Sequence, residues 1–272
     1  MNKINKMAEA EVSRLSELQK RASAILASSP SGDLHFHQRG NRLYFDVVFE
    51  TDESGKKDRK YLSRNSKDLV PYIRKYCAAC VRDIAAEGIR TLKKDPYSYD
   101  FSATQEEYKR FESLFGELLP PYFVSRETRL RKWQDGPFVR SGMEIKPEDA
   151  VKTDRGELVR SKNEALAANC LNRLGIPYHY EEKLLLSSGK VCFPDFTVKD
   201  PESEKVYYIE IFGMMSNPEY LAKASRKLCD YENEGIYVGD RLMVFFEFED
   251  RKFDVRQFEN AMRQKMPDGR RQ

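Results

Sequence analysis

The chain has 272 residues, 40% hydrophobic and 33% charged, with five cysteines and a mean hydropathy of −0.70; this excludes a collagen-like chain, a disordered tail and a disulfide-framed miniprotein. Lys and Arg number 47 against 44 Asp and Glu, a net charge of +3, so bulk charge does not announce nucleic acid and any phosphate-binding surface must come from local clustering. No apolar run approaches the roughly 20 residues of a membrane helix, and the polar N-terminus has no apolar signal core; the expectation is a cytoplasmic protein of two parts on an α+β or α/β plan.

Along the chain, residues 8–27 carry apolar side chains at Val12, Leu15, Leu18, Ala22, Ile25 and Leu26, a helical period. From Leu34 the period changes to two, in LHFHQ, RLYFDVVFE and DRKYLS, with turn signals at Arg39-Gly40-Asn41 and Ser54-Gly55, which predicts three antiparallel strands. A helix follows Ser66, with Val70, Ile73, Cys77, Cys80 or Val81, and Ile84 on one stripe. Thr104 with Glu107 is a capping-box pattern for a last helix, which Pro120-Pro121 should stop. Residues 1–121 therefore read as an α+β accessory module. Its basic residues His35, His37, Arg39, Arg42, Lys56, Lys57, Arg59, Lys60 and Arg64 suit either a nucleic-acid-holding hairpin or an ordinary solvated one. Cys77, Cys80, Cys170, Cys192 and Cys229 are odd in number and lie among apolar positions, as reduced thiols do; the lone CxxC reads as helix packing.

Residues 122–157 read as a connector. Arg126, Arg129, Arg131 and Lys132 cluster beside Trp133, which could track phosphates and stack a base or be a solvated helix face with one packed Trp; Gly136-Pro137 and Lys146-Pro147 break regular structure. Residues 158–272 show the order α-β-β-β-α-β: a helix over 161–174 ended by Gly175, the strands YHYEEKLLL, VCFPDFTV and VYYIEIF, a helix over 218–234 and the strand LMVFFEF. A last helical pattern covers 253–265.

Pairing VCFPDFTV with VYYIEIF about the turn KDPESEK puts Val198 opposite Tyr207 and Asp195 opposite Glu210. Residues directly opposite share a sheet face with Cβ atoms about 5 Å apart, so two carboxylates meet amid Phe193, Tyr208 and Phe212. Burial and repulsion would force one to hold a proton unless a divalent cation sits between them, and oxygen ligands suit Mg²⁺. Glu164 shares a stripe with Ala168 and Leu171 and can reach the same place. Each acid has a plainer reading: Glu164 as the capping-box partner of Ser161, Asp195 as a strand-end turn former, Glu210 as a solvent-facing strand residue.

The runs SKNEALAANCLNRLGIPYHYEEKL, FPDFTV and YYIEIFGMMSNPEYLAKASRKLCDYENEGI resemble the PD-(D/E)XK nuclease superfamily, especially its bacterial, phage and helicase-associated members. The resemblance covers about residues 158–248. It implies a restriction-endonuclease-like core, with Glu164, Asp195, Glu210 and the carbonyl of Ile211 as ligands of Mg²⁺ or Mn²⁺. It further implies a metal-dependent phosphodiester hydrolase, an endonuclease acting on nucleic acid, DNA ahead of RNA, alone or as a homodimer or larger complex. One departure is evident: the superfamily's lysine stands two residues after the second acid, where this chain has Phe212. Lys227 is the first candidate to replace it and Lys223 the second, both on a helical stripe with Tyr220 and Tyr231; Lys162 and Lys183 are weaker. The alternative that Phe212 supports is a retired nuclease fold that binds nucleic acid or assembles without cutting. No P-loop and no G-x-S-x-G elbow is present.

Overall fold

The computed structural model describes residues 3–40, 42–49, 58–142, 145 and 150–266. The chain is a mixed α+β protein that divides into two compact units, Met1–Arg126 and Glu127–Gln272. Among the described residues no helix is long and apolar enough to cross a membrane.

In the first unit, α1 (Lys3–Ala27) precedes an antiparallel sheet of β1 (Asp33–Arg39), β2 (Arg42–Phe49) and β3 (Asp58–Leu62), in that order, followed by α2 (Leu69–Lys94) and α3 (Ala103–Phe115). Alternation does what period two requires: Leu34, Phe45, Val47 and Leu62 point inward onto Ile73, Cys77, Phe111 and Phe115. Cys77 is fully buried on α2, Cys80 partly so, and both are free thiols. Asn41, Ser54, Gly55, Lys56 and Lys57 lie outside the described residues.

Two boundary expectations for α3 fail. The helix starts ahead of Thr104, at Ala103, so Thr104 is buried inside it and Glu107 bonds Arg110 instead of closing a capping box. Asp100 does the turning work by accepting from the backbone N–H (2.8 Å) and hydroxyl (2.7 Å) of Ser102. The helix also ends well before Pro120: Gly116, at φ +57°, takes the positive-φ backbone that a side chain disfavours.

The second unit contains α4 (Arg126–Gln134, whose first residue closes the first unit), a small hairpin of β4 (Val151–Lys152) and β5 (Leu158–Val159), and α5 (Lys162–Arg173). Then follow β6 (Tyr178–Tyr180), β7 (Leu184–Leu185), β8 (Val191–Cys192), β9 (Phe196–Lys199), β10 (Val206–Phe212), α6 (Pro218–Asn233), β11 (Leu242–Phe246) and α7 (Val255–Lys265). The main sheet has the order β11-β10-β9-β6, with β10 parallel to β11 and antiparallel to β9, and β6 antiparallel to β9. Leu171 and Ala168 of α5 and Phe258 and Met262 of α7 share a core with Phe196 and Ile209. On the other face, Ala224 and Tyr231 of α6 cover Phe212 and Tyr208. The segment 122–157 divides between the units and carries α4 and β4; Lys146 and Pro147 lie outside the described residues. Trp133 stacks on His179, ring centroids 4.0 Å apart, and the Lys199 ammonium sits 4.9 Å from its centroid. Its ring is thus committed to packing, while Arg129 pairs with Glu204.

Two stretches expected as single strands are each broken. YHYEEKLLL bends at Glu181, which has φ +50°, and VCFPDFTV breaks at Pro194, which has no N–H to give a ladder. The excised halves pair with each other as the β7–β8 hairpin, leaving β6 and β9 in the main sheet.

Leu171 is fully buried between α5 and the sheet. Leu171→Ala should cost about 2–5 kcal/mol, read by urea denaturation through the fluorescence of Trp133, the single tryptophan. A loss below about 0.5 kcal/mol, the range of surface changes, would contradict this placement.

Candidate active site

The turn between β9 and β10 sets the register. Asp200 accepts from the N–H groups of Glu202 (3.0 Å) and Ser203 (3.3 Å), an Asx-turn that fixes where the chain reverses. Val198 then stands opposite Tyr207 and Phe196 opposite Ile209. The next step would pair Asp195 with Glu210, but the ladder stops at Phe196 because Asp195 turns away after Pro194.

What the ladder gives up, the Asp195 side chain takes. Tyr208 donates its N–H toward β11, so the odd-numbered residues of β10 direct their backbone groups to the β9 side. At Ile211 that side has no strand, and Asp195 Oδ2 accepts the Ile211 N–H at 2.6 Å. The Ile211 carbonyl faces the same edge by the same geometry. The Asp195 backbone is held in turn by its carbonyl, which accepts from Glu181 N–H at 3.1 Å.

Glu210 alternates with Tyr208 and Phe212 on the face that α6 covers, and is 1% exposed. Lys227, reaching down from α6, places its Nζ 2.7 Å from the Glu210 carboxylate and donates to the Phe193 carbonyl at 2.9 Å. One turn further along α6, Tyr231 donates its hydroxyl to Glu210 Oε1 at 2.5 Å. Phe212, in the position expected of a lysine, packs against Met215, Ala224 and Tyr220.

Glu164 opens α5. Ser161 caps the helix by accepting the Glu164 N–H at 3.2 Å, so half of a capping box is present. The carboxylate does more than return the bond: Oε2 accepts from Arg160 N–H at 2.9 Å and from the Tyr180 hydroxyl at 2.6 Å. Arg160 continues the chain of contacts to Glu181, Nε to Oε1 at 2.6 Å.

Charge is scarce here relative to burial. Burial first, and the Glu210 charge second, push the Asp195 carboxyl well above the ordinary range. Burial also raises Glu210, against the opposing pull of Lys227 and Tyr231. Burial works against the Lys227 charge, yet Glu210 and Asp195 outweigh it and hold its pKa above the usual value. Lys227 is therefore an ammonium at neutral pH, and one cation is shared between buried Glu210 and half-buried Asp195.

The structure thus brings Asp195, Glu210 and Lys227 together with the Ile211 backbone. Glu164 adds to the negative potential at both acids, but it is tied by its own bonds, and among the described residues no three His, Cys, Asp or Glu side chains form a ready metal-binding group. The donor chemistry fits a hard divalent cation at Asp195 and Glu210, whose raised proton affinities mark a site short of positive charge. Lys223, Lys183 and Lys162 are all exposed. Tyr180, Tyr231, Arg160 and Glu181 had no assigned role in the sequence reading; the alternation of Tyr178 with Tyr180 and the i, i+4 spacing of Lys227 with Tyr231 were the available signals. Comparison of the chain with protein-family models, with curated proteins and with solved structures gave no match in any of the three.

Two stability measurements in EDTA test this electrostatic picture. A carboxyl whose pKa is raised on folding binds its proton more tightly folded than unfolded, so its contribution falls as pH rises from about 4 through the raised value. Asp195→Asn, which keeps an acceptor for Ile211, should match the wild type near pH 4 and exceed it at pH 8 by about 1 kcal/mol, or about 2–4 °C in Tm. Lys227→Met leaves Glu210 buried without its cation and should cost about 3 kcal/mol at pH 8, with a smaller loss at pH 5, where Glu210 takes up a proton. Flat pH dependence in both variants would refute the coupling.

Proposed function

We propose that this chain is a metal-dependent nuclease that hydrolyses phosphodiester bonds of nucleic acid, with DNA ahead of RNA as substrate. The observation that carries the reading is the convergence of Asp195, Glu210 and Lys227 at the end of the β9–β10 ladder. The resemblance of FPDFTV and YYIEIFG to PD-(D/E)XK nucleases implies two acids and a lysine at one place, and Lys227 offers from α6 the ammonium that Phe212 does not. The element order α5-β6-β9-β10-α6-β11, with one parallel pair in an otherwise antiparallel sheet, agrees with a restriction-endonuclease-like core.

In this reading Asp195 and Glu210 hold Mg²⁺ or Mn²⁺, with the Ile211 carbonyl and Glu164 as further oxygen donors. The bound ion would polarise a phosphate oxygen and lower the pKa of an attacking water. The chain's own residues do the rest. Tyr231 keeps Glu210 in one rotamer and Tyr180 does the same for Glu164. The ammonium of Lys227 neutralises charge developing on the phosphate and orients the water; being held protonated, it acts as a charge and donor. Phe212, Tyr220 and Met215 keep bulk water from that side of the site.

A second reading is favoured by Phe212 itself: a nuclease fold without catalysis that binds nucleic acid or assembles with partners. Cleavage assays separate the two. Supercoiled plasmid, linear duplex, single-stranded DNA and RNA are incubated with Mg²⁺, Mn²⁺ or EDTA, using wild type, Asp195→Ala and Lys227→Ala. Cutting should need the metal, and each variant should lose about 10²-fold or more in rate. Cutting that survives in Asp195→Ala would sink the site assignment. Absence of cutting on every substrate, with binding unchanged by EDTA, would favour the non-catalytic reading.

A further inference from the structure

The sheet of the first unit has two unlike faces. Its inner face is apolar and packed. Its outer face carries His35, His37, Tyr44 and Tyr61, with Arg39 and Arg42 at the hairpin end and Arg59 at the far side, all of them exposed. Aromatic rings left in water on a sheet face gain little from folding, and Tyr61 is 72% exposed and Tyr44 44%.

The arrangement within this face is built. His37 stands opposite Tyr44, and their rings stack with centroids 5.5 Å apart and planes 13° from parallel. Asp46, between His35 on one side and Tyr61 on the other, is only 2% exposed on this same face. It lies 3.5 Å from the Arg59 guanidinium and 4.0 Å from His37 Nδ1, and Oδ2 has no hydrogen-bond partner. A buried acid under the longer side chains thus pairs with the Arg59 guanidinium at the surface, with the His37 ring nearby.

At the hairpin end, Arg39 and Arg42 are direct cross-strand partners. Like charges directly opposite destabilise a strand pair, so this end of the hairpin carries a cost that a polyanion would relieve.

We propose that this face is a platform for single-stranded nucleic acid. Arginines receive the phosphates, and the rings of Tyr44 and Tyr61 stack with bases. The choice of single strand over duplex follows from the rings: exposed aromatic rings on a sheet face can stack only with bases whose own faces are free. The proposal rests on the nucleic-acid part of the reading above and names the strandedness of its substrate, and it requires no catalysis.

The test is equilibrium binding of the full chain to a fluorescein-labelled DNA single strand and to the duplex of the same sequence, by anisotropy in EDTA. The single strand should bind more tightly than the duplex. Tyr44→Ala and Tyr61→Ala should each weaken single-strand binding about tenfold, while Tyr44→Phe and Tyr61→Phe keep the ring and the affinity. Arg42→Ala should lower the slope of log affinity against log salt by about 0.7. All four tyrosine substitutions are at exposed positions, and circular dichroism checks that they fold. Duplex bound as tightly as the single strand, tyrosine variants that bind like wild type, or no binding in EDTA would each overturn the proposal. Because cleavage is scored separately with Asp195→Ala, a failed platform and a failed active site give different results.

Discussion

A buried acid, Glu210, beside a half-buried one, Asp195, with the Lys227 ammonium as their shared cation, is the constraint around which the second unit is arranged. Glu210 is 1% exposed, and Lys227 and Tyr231 both reach its carboxylate against the pull of burial toward the protonated form. That demand fixes the face that α6 presents to the sheet, since the two side chains lie one turn apart. The helix is also tied at its start, where Asn217 accepts from Glu219 N–H at 2.9 Å and Tyr220 N–H at 3.1 Å. Apolar packing would tolerate small rotations of α6; a charge-assisted bond to a buried carboxylate does not.

The same constraint shapes the backbone on the other side. A continuous β9 would have satisfied Ile211 with an ordinary ladder bond. Breaking the strand at Pro194 removes that bond, and the Asp195 carboxylate replaces it. Glu181, the residue after β6, compensates by donating to the Asp195 carbonyl, at the cost of a positive φ that non-glycine residues rarely adopt. Its own carboxylate is stabilised by Arg160, whose N–H serves Glu164. A single interruption of a sheet is thus absorbed by four neighbouring residues.

Much of this was legible in the sequence because it rests on period and turn chemistry. The strands of the first unit, α5, α6 and α7, and the register that sets Val198 against Tyr207 follow from alternation and from KDPESEK. Local signals failed where a tertiary demand outweighed them. YHYEEKLLL alternates well enough to be one strand, yet Glu181 bends it because its N–H is needed at Asp195. Thr104 and Glu107 have capping spacing, but burying Thr104 against the first unit's interior places the helix start earlier. At the site, the acids and Lys227 were readable from register and helical stripe. The tyrosines that hold Glu164 and Glu210 were not, since an aromatic in a strand or helix is first of all a core residue, and only the position of its hydroxyl distinguishes the two roles.

The separation of β7–β8 from the main sheet bears on how the chain length can vary. Between β9 and β10, one residue more or less would shift the register and carry every side chain of a strand to the opposite face, taking Asp195 away from Glu210. Between β7 and β8 the backbone bonds close on the hairpin itself, with Gly189 at φ +82°, and the side ties run to α6 and its end, from Ser187 to Glu234 and from Lys190 to Asp230. Insertions between Ser188 and Gly189 would lengthen a surface projection, keep the Ser187 bonds to Glu234 and leave the register of the main sheet intact. That hairpin is where a tag, a loop graft or an evolutionary insertion can be accommodated, a few residues from a turn that tolerates none.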